Sequence, residues 1–283
     1  MITELLADKV YALQNTFRLD GRISAYPRSA RGYAVSSCYL LKEPDGAFLL
    51  DTGYGAHETQ ILGQLATVLS SETPLSLVPT RINEFMSVGN GMAIAERFNV
   101  VACYSPQPDA ADWLELKATD EAAERREIPT TLLRGLLNLG VGESGGRKID
   151  AFSAPLRLIN TTWVYDPASK ALFTSDMFSQ LYQAREDGPW LVEHDEMTDD
   201  ASLRSYLLNT RYWWLEGAST DSLRRAIADV FERYDIEIIA PGYGAIFKGR
   251  DLVEKQYSML DRVLGALDRS HSKAAYVPRG LER

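Results

Sequence analysis

Histidine is scarce in this chain. His57, His194 and His271 are the only three among 283 residues, and none stands in an H-x-H or H-x-x-x-H spacing with another. Borderline metals are usually held by clustered neutral imidazoles or thiolates, so no recognisable motif of that kind is present. The same scarcity, with no nucleophile elbow, argues against Ser-His-Asp catalysis. Cysteine is scarcer still. Cys38 and Cys103 lie in separate apolar, strand-like runs, each without a second ligand at short spacing, which reads as two reduced core thiols. A net charge of −9 with no basic run argues against nucleic acid as a partner, since phosphate binding needs clustered Lys and Arg. No stretch approaches the ~18 apolar residues of a membrane span. At the start, Glu4, Asp8 and Lys9 interrupt what a signal peptide would keep apolar. The expectation is a cytoplasmic protein.

What is present is a large supply of core: 45% of the residues are hydrophobic, enough for one large domain over 1–283. Residues 35–53 read as strand, turn, strand, with Pro44-Asp45-Gly46 supplying the turn. Ile61, Leu62, Leu65, Val68 and Leu69 have helical spacing on one face. A short strand from Leu75, a loop over 80–90, a helix over 92–97 and a strand over 100–104 follow. Loops at such strand ends are where α/β proteins place their sites. An insertion spans about 108–147, charged at first, then helix-like over 131–139, then glycine-rich at Gly140, Gly142, Gly145 and Gly146. It lacks the Lys-Ser/Thr ending of a phosphate loop. It reads as a solvated insertion, with a lid or a homo-oligomer contact as the other readings. A second hairpin occupies 161–177. A helix opens at Ser219, Thr220 and Asp221, a buried strand covers 236–240, and a last helix over about 251–268 presents Val253, Tyr257, Leu260, Leu264 and Leu267. Two heptads are too few for a coiled coil, which favours docking of that helix on its own domain. Tyr212-Trp213-Trp214 reads as a packed or interfacial helix stripe.

Four segments taken in order carry a resemblance. They are Leu49-Leu50-Asp51-Thr52-Gly53, the loop ending in Gly89-Asn90, the run from Tyr165 through Asp176, and Ile239-Ala-Pro-Gly-Tyr-Gly-Ala-Ile-Phe247. Together they resemble the flavodiiron and oxygen-binding diiron branch of the metallo-β-lactamase superfamily, over roughly residues 5–250. The resemblance implies an α/β fold, a four-layer αββα sandwich with its site between the sheets at one edge. It also implies a metal cluster in the 80–90 loop, and there this sequence departs. Ile82, Glu84, Met86 and Ser87 stand where the family has His, Glu, Asp and His, and a one-residue gap would instead put Arg81 at the first histidine. The third-motif histidine falls near Arg157 or Leu158, and the last becomes Tyr243; Glu84 and the bridging Asp176 are kept. The expectation is therefore no metal and no cofactor.

Asp51, Glu84 and Asp176 crowded at one place would raise one another's pKa or require pairing. Arg81 and Arg157 are the guanidiniums expected to pair them and so to replace two metal ions electrostatically. They could not lower the pKa of a bound water as a metal does. Two outcomes follow: a sealed core filled by Ile82 and Met86, or an open cleft binding a small anionic or carbonyl-bearing molecule. In the second, Arg81, Arg157, Asp51 and Ser87 bind, and Glu84, Asp176 and Tyr243 are the candidate catalytic groups. The leading reading is a ligand-binding or sensory protein, or a pseudoenzyme. A cofactor-independent enzyme is the alternative. An atypical metal-dependent oxidoreductase or hydrolase, using carboxylates with His57 or His194, is the third. Glu193-His194-Asp195-Glu196 reads as a solvated turn before it reads as a cation site.

Overall fold

The computed structural model describes residues 1–114, 128–133, 137–141 and 147–270. Two seven-stranded sheets form its centre. The first runs in chain order: β1 (Ile2–Leu6), β2 (Val10–Leu19), β3 (Gly32–Glu43), β4 (Gly46–Leu50), β5 (Leu75–Val78), β6 (Val100–Ser105) and β7 (Thr130–Leu132). It is antiparallel through β4 and parallel beyond it. The second contains β8 (Leu137–Val141), β9 (Arg147–Ser153), β10 (Thr162–Asp166), β11 (Ala171–Ser175), β12 (Leu191–Val192), β13 (Ile238–Pro241) and β14 (Ile246–Lys248). Its order in space is β12-β14-β13-β11-β10-β9-β8.

The strands are apolar on both faces because both faces are covered. Along β3, Tyr39 and Leu41 join the core between the sheets, with Phe48, Phe173, Val164 and Ile246. Cys38 and Leu40 point the other way, into the layer under α1 (Glu58–Val68) and α3 (Gly91–Arg97); the one-turn helices α2 (Phe85–Val88) and α4 (Ala110–Trp113) come just before and after α3 in the chain. This is the two-residue alternation of a strand with no solvent face. The second sheet's outer face is covered by α5 (Asp200–Leu208), α6 (Asp221–Arg233) and α7 (Arg250–Leu267). The four layers make an αββα sandwich. Arg147 ties the sheets together: its Nε donates to Asp166 Oδ1 at 3.0 Å, and its Nη1 reaches the carbonyls of Lys9 (3.3 Å) and Lys42 (3.4 Å).

The last helix docks on its own chain, through Arg262 to Asp200 (2.7 Å) and Asp261 to Arg224 (2.8 Å). Both cysteines are free and buried. The helix expected over 131–139 is not found. Thr130–Leu132 pairs with β6 and Leu137–Val141 pairs with β9, each as the edge strand of its sheet. A short apolar run reads either way by periodicity, and sheet edges offering hydrogen bonds decide it. The charged stretch 115–127 and Gly142, Gly145 and Gly146 lie outside the described residues. Trp213–Leu215 is a short 3₁₀ turn and not a helix stripe; Tyr212 is buried while Trp213 stands 65% exposed. Thr220 precedes α6 without capping it; its hydroxyl bonds the Leu264 carbonyl of α7 at 2.7 Å instead.

Candidate functional site

The strand ends at one edge of the sandwich bring the sequence segments together. Asp51 follows β4 with φ +61°, and Ser175 and Phe178 flank Asp176 with φ +56° and +65°. Such backbone is uncommon outside glycine and is held only by its surroundings. The Asp51 carboxylate is fixed by Thr80 at the end of β5, through the backbone N–H (2.7 Å) and the hydroxyl (2.8 Å to Oδ2). Pro241–Ala245 crosses from β13 to the first sheet. Gly242 N–H bonds Ser175 O at 2.6 Å, and Ser37 N–H and Gly244 N–H bond Gly242 O and Val35 O, both at 2.9 Å. Gly244 has φ +73°, and a Cβ there would lie 2.5 Å from the Leu181 carbonyl. These constraints press Tyr243, wholly buried, into the interior, where its hydroxyl meets that of Tyr54 at 2.9 Å.

The charges form one network. Arg81 is completely buried, and its Nη1 donates to Asp176 Oδ1 in a short hydrogen bond. Its guanidinium lies 5.4 Å from the Tyr243 ring centroid, in cation–π range. Arg211 Nη1 reaches Asp176 Oδ1 at 3.2 Å and Glu84 Oε1 at 2.9 Å. Its Nη2 donates to Ser24 Oγ at 3.3 Å, on the loop between β2 and β3. Asp176 is held from behind by Tyr206, whose hydroxyl donates to its backbone carbonyl at 2.9 Å. Burial alone would lower the pKa of Arg81, but the carboxylates beside it, Asp176 foremost, reverse that and hold it well above normal. Asp51 is shifted upward: burial outweighs the Arg81 charge and the Thr80 hydrogen bonds. The buried Ser87 hydroxyl faces Asp51 and favours its ionised form by hydrogen bonding.

The structure thus brings Asp51, Arg81, Glu84, Asp176, Ser87 and Tyr243 to one edge, and leaves Arg157 out. Arg157 is exposed and donates to its neighbour, the Ala154 carbonyl. The pairing expected of it is made by Arg211, just after α5. No motif marks Arg211 in the sequence; the only nearby signal is the aromatic run that follows it. The resemblance locates the 154–160 loop at the site edge but not the direction of its side chains. His57 lies near the site, half-buried, with its Nδ1 3.4 Å from Ser36 Oγ, and its pKa is lowered by burial. His194 is exposed, and His271 lies outside the described residues. In Glu193–Glu196, the Asp195 carboxylate caps the backbone of Met197 (2.9 Å) and Thr198 (3.1 Å) and accepts from Gln256 (2.9 Å). That makes it a structural turn anchored on α7.

Apolar side chains border these groups. Ile82 and Met86 are fully buried, and Met86 packs with Tyr243, Tyr26 and Leu19, with Phe17, Tyr54 and Tyr182 against them. Cavities of about 460 and 520 Å³ lie elsewhere, one beside Lys9 and Lys42 and one beside Lys248 and Arg250. Glu84 and Arg211 are the network's link to solvent, with side chains 25% and 14% exposed.

Two such sheets between helical layers, with strand-end loops meeting at one edge, define the metallo-β-lactamase fold. Solved structures that share it include rubredoxin oxygen:oxidoreductase from Desulfovibrio gigas, with TM-score 0.70, 16% identity and 94% of this chain covered. They include the chemotaxis sensor ODP in a peroxy diiron form, at 0.62 and 15%, covering 92% of this chain and 93% of that one. A metallo-β-lactamase from Pontibacter korlensis aligns at 0.54 and 17%, covering 94% and 98%. This chain spans 62% of the length of the D. gigas protein. No family model and no curated protein matches the sequence. A binuclear metal centre of the diiron type does not fit the residues present. Asp176 is bonded to two guanidiniums, and Ile82, Ser87 and Tyr243 stand at the expected histidine positions. Among the described residues, no group of three or more His, Cys, Asp or Glu is placed to hold a metal.

Proposed function

We propose that this chain uses the metallo-β-lactamase fold without its metal, as a ligand-binding or sensory protein or a pseudoenzyme. The observation that carries this reading is Arg81: a fully buried guanidinium bonded to the carboxylate that would bridge two metals, with the Tyr243 ring against it. A cation on either side of Asp176 supplies the charge a metal would, but cannot generate a metal-bound hydroxide. One structural neighbour is a chemotaxis sensor, and a signalling use of such a scaffold agrees with that. In this reading the protein is cytoplasmic. The exposed Phe85 and Trp213, beside Glu84 and Arg211 in sequence, offer a surface to a partner or a second copy.

A cofactor-independent enzyme is the second reading. It is favoured by Glu84, a carboxylate at the rim that keeps access to solvent beside a buried cation. The test of the first reading is titration of the purified protein with Fe(II), Zn(II) and Mn(II) while following its melting transition. A preformed centre would be stabilised by about 2.7 kcal/mol at a hundredfold excess over Kd. The expected result is no saturable rise. A saturable rise that disappears in Asp176→Asn would restore a metal-dependent function.

A further inference from the structure

The charge network leaves one strong donor pair unused. Arg81 bonds Asp176 through Nη1 alone, while its Nε and Nη2 are buried and reach no acceptor. Those two N–H groups lie along one edge of the guanidinium plane, the edge whose spacing matches two oxygens of a carboxylate or a similar oxyanion. No carboxylate of the network fills that place. Asp51 directs its oxygens to Thr80, Asp176 is engaged through Arg81 Nη1 and Arg211, and Glu84 is engaged by Arg211.

Building on the metal-free reading, we propose that the Nε/Nη2 edge of Arg81 binds a small planar oxyanion of the size of formate or bicarbonate. The occupant is limited to a few heavy atoms because Arg81 is wholly buried and the Tyr243 ring lies against its guanidinium. It enters past the Arg211–Glu84 pair, whose side chains still touch solvent.

Sodium formate titrated against sodium chloride at constant ionic strength tests this, with melting temperature and the assigned ¹⁵Nε–H resonance of Arg81 as readouts. The expected result is a saturable rise in melting temperature of several degrees with formate alone, together with a shift of that resonance. Arg81→Lys keeps the charge but lacks the two-donor edge, so it should lose the formate response. If that variant does not fold, the wild-type resonance decides. The absence of a formate-specific rise, with an unmoved resonance, overturns the site. Metal content measured on the same sample separates the two claims. Metal-poor protein without a formate response removes the oxyanion site alone, whereas a response that vanishes on chelation of a stoichiometric metal removes the metal-free reading.

Discussion

At the scale of single residues, the two arginines proposed for pairing separate sharply. Arg81 is wholly buried against Asp176, and removing one partner of a buried ion pair leaves an uncompensated charge, costing about 3–5 kcal/mol. Arg157 is exposed and bonds only its neighbour's carbonyl, and surface changes of that kind stay within about 0.5 kcal/mol. Denaturant unfolding of Arg81→Ala and Arg157→Ala should show that contrast, with Arg81→Ala at the lower end of its range because Arg211 still neutralises Asp176. Equal costs would mean that the network has been assigned to the wrong arginine. Positions next to a strand end were legible in the sequence: Asp51, Arg81, Glu84, Asp176 and Tyr243 sit in motifs whose order fixes their place. Arg211 was not, because it comes from a segment with no motif and reaches the site only through the packing of α5. Arg157 misled because a loop's location does not determine where a long side chain points.

At the scale of elements, the loop that carries Tyr243 depends on Gly244. With φ +73° and the Leu181 carbonyl 2.5 Å from where a Cβ would stand, Gly244→Ala incurs both backbone strain and a clash with main chain. The strain alone is about 1–3 kcal/mol. Thermal melting should show at least that loss, and an unchanged transition would mean the loop is free to rearrange. The turn onto α7 is sensitive to acid. Burial would raise the pKa of Asp195, but its hydrogen bonds from Thr198 and Met197 and the Lys255 charge outweigh burial and hold it below the ordinary 3.8. A depressed folded-state pKa gives stability that is present above the unfolded value and is lost as pH falls through the folded one. The advantage of wild type over Asp195→Asn should therefore be full near neutrality and shrink below pH 3.8. A constant advantage through that range would contradict the role assigned to the turn. Long periodic helices such as α1, α6 and α7 were legible to within a residue or two. The edge strands β7 and β8 were not, since they are too short for periodicity and are specified by their neighbours in the sheet.

For the whole molecule, the sandwich was readable from the order of its strand-end motifs, while β1 and β2 at the start carry no such motif and emerged only with the structure. What the fold contributes is a fixed meeting point for loops from both sheets, locked by the Gly242 and Gly244 hydrogen bonds across them. The sequence has placed guanidiniums, a tyrosine and a methionine at that point. The proposed function requires that this network stand in place of a metal centre. Elemental analysis by mass spectrometry, on protein purified without an affinity tag or chelator, tests it most directly. Fe, Zn and Mn should each be found far below one per chain; any of them bound stoichiometrically would show that a metal centre is present after all.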